Sequence, residues 1–189
     1  MIDISKYPIL NNHISTLKET SKDNHDGTVV YMTQSEAEVV NFDDVKSEYI
    51  SGLSLCDAPK SNDALLINST ELATFIEFKN GIFDRPKEFG IRKKIYDSML
   101  ILTDIIDKNI SFTREHLDYI LVYNESKNPD TKKEYSSSES RDLIDKTLLG
   151  FGKERFIKFG LEIFKNYCFK NVYTYTEKEF EENFVKTLT

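Results

Sequence analysis

Two apolar, β-prone runs, Asp63–Asn68 (DALLIN) and Leu72–Lys79 (LATFIEFK), stand three residues apart, and this pairing constrains the fold more than any other feature of the chain. Runs of this kind joined by a short polar loop, here Ser69-Thr70-Glu71, form an antiparallel hairpin. The second run is apolar on both faces, with Phe75 on one and Ile76 and Phe78 on the other. Such a strand belongs inside a sheet that is covered on both sides. Thr28–Met32, Ala37–Asn41, Tyr119–Tyr123 and Asn171–Tyr175 read as further strands.

Helical spacing predicts helices over Asn12–Thr20, Asp43–Leu53, Lys87–Lys108, Arg141–Leu149 and Lys153–Tyr167. A last helix follows Thr176, which has the spacing of a capping box with Glu179. In the long helix, Phe89, Ile91, Ile95, Met99, Leu102, Ile105 and Ile106 define the buried face. Ser126–Ser140 reads as an exposed polar loop. The order of elements predicts an α/β fold with a mixed central β-sheet flanked by helices. Residues 1–189 are expected to form a single domain, with a core over about 43–125 and a C-terminal extension over about 141–189.

Lys and Arg number 25 against 32 Asp and Glu, a formal net charge of -7, which excludes a general polycation that coats nucleic acid. Binding through a local basic patch stays open. Cys56 and Cys168 match no metal-binding spacing and read as reduced core thiols. His13, His25 and His116 show no ligand spacing and are assigned no role. No signal segment and no membrane span is visible, so a cytoplasmic protein with no membrane partner is expected. Neither a Gly-rich phosphate loop nor a GxSxG turn is present.

Chemistry is expected at the open end of the hairpin. A loop centred on Thr70 sets Asp63 directly opposite Glu77, with Cα atoms roughly 4.5–5.5 Å apart. Side chains two apart on a strand point the same way, so Asp63, Glu77 and Lys79 share a face with Leu65, Ile67 and Phe75. Two carboxylates at the end of an apolar sheet must pair, bind a metal or reach solvent. Mg²⁺ (or Mn²⁺) fits, because it takes one or two carboxylates and keeps several waters. The Phe78 carbonyl is a natural extra ligand, and Lys79 is placed to hold water or phosphate.

These residues, NDALLI followed by a hairpin and FIEFKNG, resemble the PD-(D/E)xK, or restriction-endonuclease-like, nuclease superfamily. The resemblance implies a helix–hairpin–helix–strand core and Mg²⁺-dependent hydrolysis of nucleic-acid phosphodiesters by a metal-activated water. It carries Asp63 and Glu77 onto the metal ligands and Lys79 onto the catalytic lysine. A further acid from the preceding helix would be Glu48, with Asp44 behind it. The sequence departs from the pattern in having Asn62, not Pro, before Asp63. Asp44-Val45-Lys46 and Asp130-Thr131-Lys132 share the acid-x-Lys spacing, but the first lacks an upstream acid positioned by a hairpin and the second lies in the polar loop with no apolar strand behind it.

From Lys79 to Lys94 six basic residues face two acidic ones, and Arg85, Arg92, Lys93 and Lys94 are the candidate phosphate contacts for a nucleic-acid partner, taken to be DNA. A solvated helix face accounts for the same charges. A second basic stretch, Lys146–Lys170, interleaves Phe151, Phe156, Phe159 and Phe164, which either stack bases or fill the core. A homodimer would suit an enzyme that cuts both strands. Two other readings stand beside the nuclease. One is a strand-edge ion pair of Lys79 with the two acids. The other is an inactive protein-binding module of the same fold, such as an immunity or inhibitor protein whose acidic surface masks a basic toxin or nuclease.

Overall fold

The hairpin forms, and in the register expected from the sequence: Ala64 opposes Ile76 and Leu65 opposes Phe75. The computed structural model describes residues 2–24, 27–67, 72–129 and 157–188. Its strands are β1 (Ile14–Thr16), β2 (Lys22–Asp23), β3 (Val30–Tyr31), β4 (Glu38–Asn41), β5 (Ala64–Ile67), β6 (Ala73–Lys79), β7 (Leu117–Tyr123) and β8 (Asn171–Thr176). The helices are α1 (Pro8–Asn11), α2 (Leu17–Thr20), α3 (Phe42–Tyr49), α4 (Arg85–Ile105), α5 (Ile110–His116) and α6 (Glu177–Asn183).

The architecture is α/β, with a six-stranded mixed sheet in the order β1-β4-β5-β6-β7-β8. The first three pairings are antiparallel. The pairs β6–β7 and β7–β8 are parallel. A parallel pair needs a crossover, and α4 followed by α5 supplies it between β6 and β7. The C-terminal segment thus completes the same sheet as the hairpin. β2 and β3 pair separately.

Alternation along β6 sends Phe75 to one core and Ile76 and Phe78 to another. The first core packs under α3 and α4 through Val45, Ile91, Ile95, Met99 and Leu102. The second is covered by Leu17 of α2 and Phe180 of α6. β6 and β7 are therefore covered on both faces, as their apolar runs require. The capping box of α6 is formed: the Glu179 N–H donates to Thr176 Oγ1 at 3.2 Å, and the Thr176 N–H to Glu179 Oε2 at 2.9 Å.

Four expectations are corrected. Asn12–Thr20 is not one helix: β-branched Ile14 and Thr16 pair with β4, and Thr16 then caps the short α2. The α5 helix was not anticipated; Asn109 announces it by accepting the N–H groups of Ser111 and Phe112. Phe89, in the first turns of α4, is 77% exposed rather than buried. Cys56 is exposed and only Cys168 is a core thiol.

The described part of Lys153–Tyr167 is also not an α-helix. It holds a 3₁₀ turn, Glu162–Phe164, and Phe159, Gly160 and Asn166 take φ of 60°, 61° and 60°. Left-handed residues interrupt a right-handed helix. Gly160 suits this left-handed turn because it carries no Cβ to strain the positive φ; an added Cβ would also meet the flexible end of Arg92 at 2.8 Å. Phe164 is fully buried and Phe159 stacks on Phe83 at 3.9 Å, so both serve the core. Phe151, Phe156, Arg141–Leu149, Asp130-Thr131-Lys132, His25 and the Ser69-Thr70-Glu71 loop lie outside the described residues.

Candidate functional site

The antiparallel ladder between β5 and β6 ends at Ala64 and Ile76. One residue further out, β5 gives way to two polar residues whose groups bond elsewhere. The Asn62 N–H donates to Ser98 Oγ of α4 at 2.8 Å. The Asp63 carbonyl accepts from the Phe42 N–H at 3.1 Å, tying Asp63 to the start of α3. Its carboxylate Oδ2 accepts from the Phe78 N–H at 2.6 Å. Phe78 therefore meets Asp63 through its own amide.

Asp63 and Glu77 face α4, and Lys94 of that helix reaches between them. Its Nζ lies 2.6 Å from Glu77 Oε1 and 3.0 Å from Asp63 Oδ1. Glu77 is 1% exposed, and its Oε2 has no hydrogen-bond partner among the described residues. Burial, and then the charge of Asp63, push the Glu77 carboxyl up to about 8. Burial raises Asp63 as well, against the opposing pull of Lys94. Burial works to lower the Lys94 ammonium, but the charges of Glu77 and Asp63 hold it above the ordinary lysine value. Tyr119, on the neighbouring strand, is raised well above 10 by burial and then by the same two carboxylates.

The site opens through Asp63 into a cleft of about 330 Å³. Asp43, Asp63, Lys79, Lys22, Asp23 and Lys87 contribute its charged wall. Lys79 lies on β6 beside the acids, its stem passing 3.8 Å from the position of a Cβ on Gly81. Among the described residues it makes no ion pair within 4 Å. The ion pair expected for Lys79 with the two acids is made by Lys94 instead.

The expected α3 acid is also exchanged. Glu48 bonds His13 Nε2 at 2.7 Å, and Asp44 accepts from Asn41 Nδ2 at 2.7 Å. Asp43 lines the cleft and accepts from the Ser61 hydroxyl. Five residues of helix separate Glu48 from Asp43 by roughly 7.5 Å and 140°, so only one of them can face the hairpin. Asp44-Val45-Lys46 lies on this helix around buried Val45, not on a strand.

The candidate phosphate contacts do not form one face. Lys94 is drawn inward to the acids. Arg92 donates to the Gly160 carbonyl at 3.3 Å, and Lys93 pairs with Asp97 at 2.5 Å. Arg85 alone of the four is exposed without such a partner among the described residues. Lys94 was legible in part: it lies one turn before buried Ser98 and between buried Ile91 and Ile95, at the edge of the apolar stripe. Asp43 carried no comparable signal.

Among the described residues no three His, Cys, Asp or Glu side chains are grouped to hold a metal ion, and no helix is long and apolar enough to cross a membrane. The donor set is two carboxylates that converge on one cationic centre, one of them with a buried oxygen unbonded. That set suits a hard divalent ion, which needs one or two carboxylates and fills its remaining positions with water. No family model matches this chain, and no match is found among curated proteins or among solved structures.

Proposed function

We propose that this chain is a metal-dependent nuclease with a restriction-endonuclease-like core, acting on nucleic-acid phosphodiesters, with DNA as the substrate. The observation that carries the reading is the convergence of Asp63 and Glu77 on one cation position, beside a cleft lined by Lys79. Asp63 and Glu77 would hold Mg²⁺ or Mn²⁺, which when bound supplies an activated water and stabilises charge on the phosphate. The chain's own groups do the rest. The Phe78 N–H fixes the Asp63 carboxylate, and the Ser61 hydroxyl fixes Asp43 at the cleft. Lys79 would orient the phosphate or take up the proton of the attacking water. Arg85 and Lys22 are the exposed cations available to the flanking backbone; Lys87 also lines the cleft but is engaged by Asp84 and the Ile82 carbonyl.

The test is cleavage of end-labelled DNA in Mn²⁺ by wild type, Glu77→Gln and Lys79→Ala, with circular dichroism to show that each variant is folded. Both variants should lose metal-dependent cleavage. Wild-type activity in either one ends the reading.

One observation favours the second reading, an inactive protein-binding module. Lys94 already bonds both acids, so the fold has a cation at the buried pair without a metal. Such a protein would bind a basic toxin or nuclease through its acidic surface and show no Mn²⁺ binding at Asp63 and Glu77.

A further inference from the structure

The acids of the site offer four oxygens, and their commitments leave one shared position. Asp63 Oδ2 is held by the Phe78 N–H at 2.6 Å. Glu77 Oε2 is buried and has no hydrogen-bond partner among the described residues. The two oxygens that face each other, Asp63 Oδ1 and Glu77 Oε1, both bond Lys94 Nζ. At 3.0 and 2.6 Å both are charge-assisted hydrogen bonds.

A divalent cation bridging the same carboxylates would sit at or beside the ammonium. Two cations there repel each other strongly in a site so poorly solvated. Lys94 is not sealed in. Its side chain keeps 25% of its surface exposed, and its four-carbon stem is flexible. The helix that carries it need not move, because Ser98, one turn on, stays tied to the Asn62 N–H.

We infer that Lys94 is the resident counter-ion of the Asp63–Glu77 pair and that a divalent cation enters only in exchange for it. The inference rests on the metal-site reading above and adds a control to it. The ammonium gives the two buried acids a hydrogen-bond partner of opposite charge when no metal is present. The same contacts tax metal affinity, since only the fraction of molecules with Lys94 swung out can bind.

Calorimetric titration of Mn²⁺ into wild type, Lys94→Met and Glu77→Gln tests it. Lys94→Met should bind Mn²⁺ about tenfold or more tightly than wild type, and Glu77→Gln should lose binding. In thermal melts, Lys94→Met should unfold below wild type in EDTA and gain more from Mn²⁺ than wild type does. If wild type binds, Glu77→Gln does not, and Lys94→Met binds no tighter than wild type, the exchange is wrong and the metal site stands. If Mn²⁺ binds neither wild type nor Lys94→Met, both fall. Should Lys94→Met not fold, a crystal structure of wild type with Mn²⁺ decides. Lys94 Nζ more than 4 Å from both carboxylates supports exchange, and a metal on Asp63 and Glu77 with Lys94 still bonded to both overturns it.

Discussion

The Phe78 N–H and Asp63 Oδ2 lie 2.6 Å apart, so a side chain closes the ladder where the backbone of β5 has left it. In a continued antiparallel ladder that N–H would meet the Asn62 carbonyl. Here Asn62 turns its N–H to α4, and Asp63 fills the place with a carboxylate whose other oxygen holds Lys94. One residue thus joins the sheet edge, the start of α3 and the cation position.

Asp63→Ala removes the acceptor of a backbone N–H and one partner of a largely buried ammonium. We expect it to cost about 3 kcal/mol in urea unfolding at pH 7, within the range for breaking a buried ion pair. Asp63→Asn keeps an oxygen for Phe78 and should lose less. Equal losses in the two variants would show that the bond to Phe78 contributes nothing.

Glu77 makes stability depend on pH. Its carboxyl is pushed up from 4.5 to about 8, chiefly by burial, so the folded chain holds this proton more tightly than the unfolded chain. The contribution is complete below pH 4.5 and is lost as pH rises through about 8. Asp63, also raised, acts in the same direction. In metal-free buffer wild type should therefore lose stability between pH 5 and 8, by at most about 1.4 kcal/mol per pH unit from Glu77. Glu77→Gln should flatten that slope. An unchanged slope in the variant would place the titration elsewhere.

The α6 helix seals the second core with Phe180, and its start rests on the Thr176–Glu179 capping box. Thr176→Ala should cost about 1 kcal/mol by chemical denaturation. Thr176→Ser, which keeps the hydroxyl, should cost less. A loss below a few tenths in the alanine variant would mean that the tertiary contacts of Phe180 hold the helix without its cap.

That box, the hairpin register and the apolar faces of β6 and β7 were legible because each is a local rule. Period-two alternation and a short loop fix which residues oppose, and so Asp63 and Glu77 meet. The partner of those acids was legible only as a position at the edge of the apolar stripe, because where it reaches depends on the rotation of α4 about its axis. Arg92, Lys93 and Lys94 are consecutive and look alike, yet each turns roughly 100° from the last and ends at a different partner. Asp43 and Glu48 divide in the same way on α3. The expected helix over Lys153–Tyr167 failed over its described part for a tertiary reason. Its aromatic spacing suits a helix, but Phe159, Gly160 and Asn166 take left-handed φ, and Arg92 of α4 donates to the Gly160 carbonyl.

Tyr119 gives a prediction whose sign is fixed by hydrogen bonding alone. Its ring stacks on Phe169 with centroids 5.3 Å apart, and a phenylalanine keeps that contact. Its hydroxyl is buried without a hydrogen-bond partner among the described residues. A buried donor left unpaired is a net cost, so Tyr119→Phe should leave the protein as stable as wild type or more so, by up to about 1 kcal/mol. The register of β6 and β7 sets Tyr119 opposite Phe75 and so diagonal to Glu77, whose Oε2 is equally unpaired. A destabilised Tyr119→Phe would mean that the two groups are joined through a bridging water. A double-mutant cycle with Glu77→Gln separates the cases: no coupling if the hydroxyl stands alone, and a clear coupling energy if the bridge exists.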